Sequence, residues 1–139
     1  MKIIKRDYDD SYFNTWAEKT KIEEKFNKHK LELIRSLRPS GKLLEIGCGR
    51  GKLLDKLKQY YSAAGTDISS SAIDEASKLI DKRFLKVSNI EKDPIRSKYD
   101  IILAFDVLEH LKNPKKVILK IKKALRKNGI FIFSVPNNY

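Results

Sequence analysis

Apolar residues along this chain follow two rhythms. Over residues 10–38, Ile22, Phe26, His29, Leu33 and Leu37 recur at spacings of three and four, the period of one helix face. Pro39-Ser40-Gly41 then stops the helix. Tyr8, Tyr12, Phe13 and Trp16 cluster near its start; a packing face is the favoured reading, a lid over a pocket the alternative. Beyond Gly41 the runs are short and regularly punctuated. Residues 42–46, which run into glycines, read as a buried strand, and 52–60, with Leu53, Leu54 and Leu57, as a helix. Residues 62–66 read as a weak second strand. Residues 69–81 read as a helix with Ser69, Ser70 and Ser71 as cap candidates, and 84–87 as a third strand. Residues 99–105 are almost continuously apolar, which marks a strand buried on both faces. Residues 114–127 read as another helix, capped by Asn128-Gly129, and 130–135 as a fifth strand.

Strands that alternate with helices imply βαβ units and a mainly parallel sheet in a three-layer α/β sandwich. The link over 88–98 has no clear helical pattern. Ligands of such sheets sit beyond the carboxyl ends of the strands, so the residues just after the first four strands are where function is expected. The 139 residues amount to one domain, divided here into an N-terminal helical or lid segment (1–40) and a core (41–139).

Composition adds exclusions. Apolar residues make up 41% of the chain, enough for a core, yet no run of them is long enough to span a membrane. The start, Met1-Lys2-Ile3-Ile4-Lys5-Arg6-Asp7, is basic but lacks the apolar stretch of a secretory signal. Cys48 is the single cysteine, so no internal disulfide forms and a reducing cytoplasm is the expected location. The net charge of +12 admits a polyanionic partner. Lysine far outnumbers arginine, however, and the basic residues are spread along the chain. A solvated basic surface is therefore favoured over a phosphate-reading one.

The first strand runs into Gly47-Cys48-Gly49-Arg50-Gly51-Lys52. A dinucleotide fingerprint needs a glycine where Lys52 stands, and a P-loop needs four residues between its glycines and a hydroxyl residue where Leu53 stands. Neither fits. Asp67 follows at the end of the second strand, where a carboxylate has two oxygens to offer the two hydroxyls of a ribose. Its other job would be to cap the next helix, but Ser69 and Ser70 are at hand for that.

In this order the segments resemble the class I methyltransferases. Leu43-Leu44-Glu45-Ile46-Gly47-Cys48-Gly49-Arg50-Gly51 is similar to their first motif and Gly65-Thr66-Asp67-Ile68-Ser69 to the second. Ser88-Asn89-Ile90-Glu91-Lys92-Asp93-Pro94 resembles the adenine-holding loop. Tyr99-Asp100-Ile101-Ile102-Leu103 with Asp106-Val107-Leu108-Glu109-His110-Leu111 resembles the fourth motif of the small-molecule branch. Leu125-Arg126-Lys127-Asn128-Gly129-Ile130 resembles the turn before strand five, with Asn128 where a glycine is usual. The likeness covers residues 40–136.

The resemblance implies a Rossmann-like core that binds S-adenosylmethionine and passes its methyl group to a small-molecule acceptor by in-line displacement. It places Glu45 near the methionine amino end, Gly47 and Gly49 where the cofactor approaches the backbone, and Cys48 beside them with a main-chain contact. It gives Asp67 the ribose hydroxyls and Ile68 the adenine face. Asn89 stands where the family usually has Asp, and an amide oxygen also accepts from the adenine amino group. The backbone N–H of Ile90 would reach an adenine ring nitrogen, and Phe105 and Asp106 would border the methionine part. His110 is the candidate general base; a structural start to the next segment is the alternative. Some relatives hold a metal with a Glu-His pair here, but His29 is the only other histidine, so no metal is expected.

Two other functions stay in view: a cofactor-binding module without catalysis of its own, and an RNA methyltransferase suggested by the charge. The Asn/Asp-Pro-Pro-aromatic motif of base-directed relatives is replaced by Phe105-Asp106-Val107-Leu108, which disfavours nucleic acid as the acceptor. Family members continue past strand five. The apolar strand at 130–135 is thus expected to be an exposed edge, explained by a truncated chain or by a partner or second copy that covers it.

Overall fold

A run with no polar face becomes a strand only where both faces are covered, and Tyr99–Phe105 is buried at every position. The computed structural model describes residues 2–4 and 16–137. In chain order the elements are β1 (Lys2–Ile4), α1 (Trp16–Leu37), β2 (Lys42–Ile46), α2 (Lys52–Leu57), β3 (Ser62–Asp67), α3 (Ser70–Ala76), β4 (Leu85–Val87), β5 (Tyr99–Phe105), α4 (Pro114–Ala124) and β6 (Leu125–Ser134). Short 3-10 turns lie at Lys82–Phe84 and Leu108–His110. The sheet has six strands in the order β1-β6-β5-β2-β3-β4, and all neighbours run parallel.

Successive residues of a strand point to opposite faces, and the core divides accordingly. Leu43, Ile101, Leu103 and Ile132 pack with Ile34 of α1 and with Leu53, Leu54 and Leu57 of α2 on one side. Leu44, Ile102, Ala104 and Phe133 pack with Val117, Ile121 and Ala124 of α4 on the other. Ile90 and Ile95, from the helix-free link after β4, complete that second side. The α/β class, the parallel sheet and the five expected strands are all present.

Four expectations are corrected. The buried stripe of α1 is not the one its apolar spacing marks: His29 and Leu37 are exposed, whereas Asn27 and Ile34 are buried. The helix is turned so that Glu23 and Lys30 face Lys52 and the Phe105 ring, and Arg38, just past its end, meets Asp100. Helix α4 ends at Ala124 rather than at residue 127, because Leu125 turns extended and pairs with Tyr99. Asn128, in the left-handed region at φ 64, therefore belongs to an irregular stretch of β6 and does not cap a helix. Third, α2 and α3 end earlier than expected, at Leu57 and Ala76. Finally, the edge at 130–135 is not wholly open, since β1 pairs with Ile132, Phe133 and Ser134 and supplies ladder bonds an edge would lack. The expected aromatic cluster Tyr8, Tyr12 and Phe13, the Trp16 side chain and helical residues 10–15 lie outside what the structure describes.

One carboxylate ties the amino ends of these elements. Asp100 accepts from Lys42 N at 2.8 Å, Arg126 Nη1 at 3.0 Å and Arg38 Nη2 at 3.2 Å. The Lys42 N–H first, and then the two guanidinium groups, hold its carboxyl below the usual range. A carboxyl depressed in the folded state stabilises above its unfolded pKa and loses that contribution as pH falls through the folded value. Asp100→Ala is expected to lower unfolding free energy by roughly 1–2 kcal/mol at neutral pH, the scale of losing its bond from Lys42 N and two part-exposed charge contacts, and to flatten the acid limb of stability against pH. Urea denaturation at several pH values measures both; an unchanged midpoint would sink the assignment.

Candidate functional site

The carboxyl ends of β2, β3, β4 and β5 meet around a cleft of about 350 Å³. After β2 the chain turns sharply: the N–H groups of Gly47 and Cys48 both donate to Thr66 O, at 2.8 and 2.9 Å. Gly47 has φ +74, and a Cβ there would come within 2.5 Å of Val107 Cγ2. Gly49 has φ +54, but a Cβ there would meet nothing within 4 Å. The backbone at Gly49 therefore borders open space, where a ligand can lie against it.

Asp67 clasps this loop. Its Oδ2 accepts from Gly49 N and its Oδ1 from Ser69 N, both at 2.9 Å. Each oxygen keeps a lone pair. The cap of α3 is Ser69, whose hydroxyl accepts from Ala72 N at 3.2 Å, so capping does not account for Asp67. Ile68 beside it is 69% exposed, an apolar surface at the cleft wall.

Beyond β4, Asn89 Oδ1 accepts from Glu91 N at 3.0 Å and Asn89 N donates to Asp93 Oδ2 at 2.8 Å. Lys120 of α4 donates to the Ile90 and Asp93 carbonyls, and Glu91 Oε1 accepts from Lys112 N and Asn113 N. This loop is thus clamped at two points, to Lys120 of α4 and to the segment that leads into α4. At the end of β5, Asp106 is in the left-handed region at φ 55. Its N–H donates to Ser134 Oγ at 3.0 Å, and that hydroxyl donates to Asp106 Oδ1 at 3.1 Å.

The cleft gathers Gly47, Asp67, Ile68, Asn89, Ile90, Phe105, Asp106 and His110. Three other expected residues lie around it. Gly49 is joined to it through Asp67. Cys48 is buried, with its N–H spent on Thr66 and its thiol pushed up to about 12, mainly by burial and then by the nearby carboxyls of Glu45 and Asp67. That thiol stays protonated and packs against Gly65. Glu45, inside β2, is buried, and its Oε2 has no hydrogen-bond partner. Burial raises its carboxyl to about 8, with Lys30 opposing and Asp67 reinforcing the rise. The His110 side chain is 77% exposed, and its Nε2 lies 3.8 Å from Glu109 Oε1.

Sequence reading overlooked Lys30, Ser134, Asp93, Glu91 and Lys120. Lys30 and Lys120 sit among many lysines, and the partners of Ser134 and Glu91 lie more than twenty positions away in the chain; only Asp93 has local partners, Ser88 and Asn89.

A family model for a methyltransferase domain matches residues 17–139. The chain belongs to this methyltransferase-domain family. Among curated proteins it is similar to an uncharacterised protein of Methanocaldococcus jannaschii, 30% identical over 126 residues, covering 88% of this chain and 57% of that one. It is also 30% identical over 129 residues to the mitochondrial ubiquinone biosynthesis O-methyltransferase of Candida albicans, covering 86% of this chain and 39% of that one. The fold of the methyltransferase domain is that of the N-methyltransferase NodS from Bradyrhizobium japonicum, solved with S-adenosylhomocysteine: TM-score 0.70, 22% identity, 80% of this chain and 60% of that one. The chain thus spans about two fifths to three fifths of the length of these proteins.

Glu45 makes the site's own titration visible in stability. A carboxyl whose folded pKa is raised stabilises most below its unfolded value and loses that contribution as pH rises through the folded one. The ligand-free domain is expected to become less stable between about pH 4.5 and 8, and Glu45→Gln to flatten that decline. Thermal unfolding across the range tests this; identical pH profiles for the two proteins would refute it.

Proposed function

We propose that this chain binds S-adenosylmethionine in the cleft and transfers its methyl group to a small-molecule acceptor. The observation that carries the reading is Glu45 Oε2, a buried acceptor with no partner beside the cleft that Asp67 lines. Leaving such a group unpaired costs about 1–3 kcal/mol, which a donor on a ligand removes. An ammonium is the donor that a carboxyl in this position suits. The open backbone at Gly49 agrees, since a ligand fits where a side chain would not be needed.

Each expected residue takes a part. Asp67 directs its remaining lone pairs to a ribose diol. Ile68 packs on the adenine face, and Asn89 and the Ile90 N–H meet the base edge. Gly47 and Gly49 let backbone and cofactor come close, with Cys48 shaping the turn between them. Phe105 and Asp106 border the methionine part, which Glu45 anchors. The sulfonium methyl supplies the electrophile when the cofactor is bound. The residues then hold the acceptor in line with it, and orientation accounts for most of the acceleration. His110, at the rim, takes the acceptor's proton where one must leave. Among the described residues no helix is long and apolar enough to cross a membrane, and the lone, buried thiol of Cys48 suits a cytoplasmic protein.

Titration calorimetry with S-adenosylhomocysteine tests the core claim. Wild type should bind, and Asp67→Ala should bind roughly two orders of magnitude more weakly, the worth of two hydrogen bonds to a charged group. A wild-type chain that binds nothing would end this reading. With an acceptor that loses a proton, His110→Ala should lower kcat by about a hundredfold while cofactor affinity stays the same; an unaffected kcat would remove His110 from the mechanism.

A further inference from the structure

The fold gathers charge that the chain spreads out. Lys21, Lys25 and Lys28 are exposed and stand three or four residues apart on one face of α1. With Lys56 of α2 they line a groove of about 490 Å³ between the two helices, in which Glu24 is the one acid among the lining residues. None of the four lysines has an ion pair among the described residues. The acids next to them in sequence are engaged elsewhere: Glu23 pairs with Lys52 at 3.3 Å and Asp55 with Lys58 at 2.6 Å. Like charges at these helix spacings repel, so the groove carries a repulsion that an anion relieves. Tyr60 also lines the groove, and the Arg35 guanidinium stacks on its ring, 3.8 Å from the centroid. Stacking holds this fifth cation in place while its N–H fork can still bind an oxyanion.

The form of the patch selects the partner. At 1.5 Å per residue, the charges from Lys21 to Arg35 extend about 21 Å along α1, a row that suits a chain of phosphates better than a single one. A membrane surface would call for an apolar face to insert, and a protein partner for an apolar interface core poor in charge. The groove has neither: Leu31 is half-buried and Tyr60 is the one exposed aromatic of its lining. We propose that the groove between α1 and α2 binds the sugar-phosphate backbone of a single-stranded nucleic acid. A flexible strand can follow a basic groove between two helices. Lysines act there as point charges and contact phosphates without reading bases, so binding is independent of sequence. The nucleic acid is a docked partner and not the methyl acceptor, since no residue of this groove lines the cleft at the strand ends.

The test is fluorescence anisotropy of a labelled oligouridylate titrated with the full chain at rising potassium chloride. Wild type should bind at low salt, with a slope of log affinity against log salt of about −3.5, as five cations on a single strand give. Changing Lys21, Lys25, Lys28 and Lys56 together to Ala should weaken binding at least about tenfold and leave a slope of about −0.7, from Arg35 alone. Changing Lys115, Lys116, Lys122 and Lys123 of α4, all exposed, to Ala removes the same charge elsewhere and should leave affinity within about threefold. The single variant Lys25→Glu, at an exposed position that the fold does not need, should already weaken binding about fivefold. Equal losses in the two quadruple variants would reduce the effect to net charge and overturn the proposal. Wild type that ignores the oligonucleotide at low salt overturns it too, whether or not the protein sediments with phosphatidylserine vesicles.

Discussion

Burial of β5 on both faces is the constraint on which the rest of this structure depends. Every residue of Tyr99–Phe105 is buried, so its backbone groups must be paired by neighbours and its side chains covered from two sides. β2 and β6 supply the pairing, α1 and α2 one cover, and α4 the other. Parallel neighbours require crossovers, and crossovers place every strand's carboxyl end on the same side. The polar residues that end these strands, Asp67, Asn89 and Asp106, are thereby drawn to one cleft although the chain separates them widely.

The two ends of the sheet treat charge differently. At the amino end, Asp100 is surrounded by donors on three elements and its charge is fully answered. At the carboxyl end, Glu45 is buried with one oxygen unanswered, and burial, reinforced by the nearby Asp67, favours its protonated form. The first arrangement stabilises the fold. The second stores unmet electrostatic demand that a ligand can satisfy, as sites do at the expense of the apo protein. The left-handed backbone of Asp106, held by its reciprocal bonds with Ser134, is local strain of the same kind.

The adenine-side loop gives a related lesson. The amide oxygen of Asn89 caps the turn at Glu91. Asp93 accepts from Asn89 N and Ser88 Oγ, bonds that, with the first dominant, hold its carboxyl below the ordinary range. That carboxylate supports the loop's backbone four positions beyond Asn89.

Much of this was legible along the chain. The apolar run at 99–105, the alternation of strands and helices, the turn at Gly47–Gly49 and the position of Asp67 all follow from period and turn chemistry, which act within a few residues. The rotation of α1 was not legible, because Ile22, Phe26 and Leu33 mark an apolar stripe but not what lies beneath it; only the packed sheet decides that Asn27, Lys30 and Ile34 turn inward. The pairing of Lys2–Ile4 with Ile132–Ser134 was not legible either, since a three-residue strand is too short to show a period and its partner is remote. The sequence by itself determined which segments are strands or helices and which acids end them. The tertiary structure alone decided which distant groups meet, and so placed Lys30 over the Phe105 ring and Ser134 against Asp106.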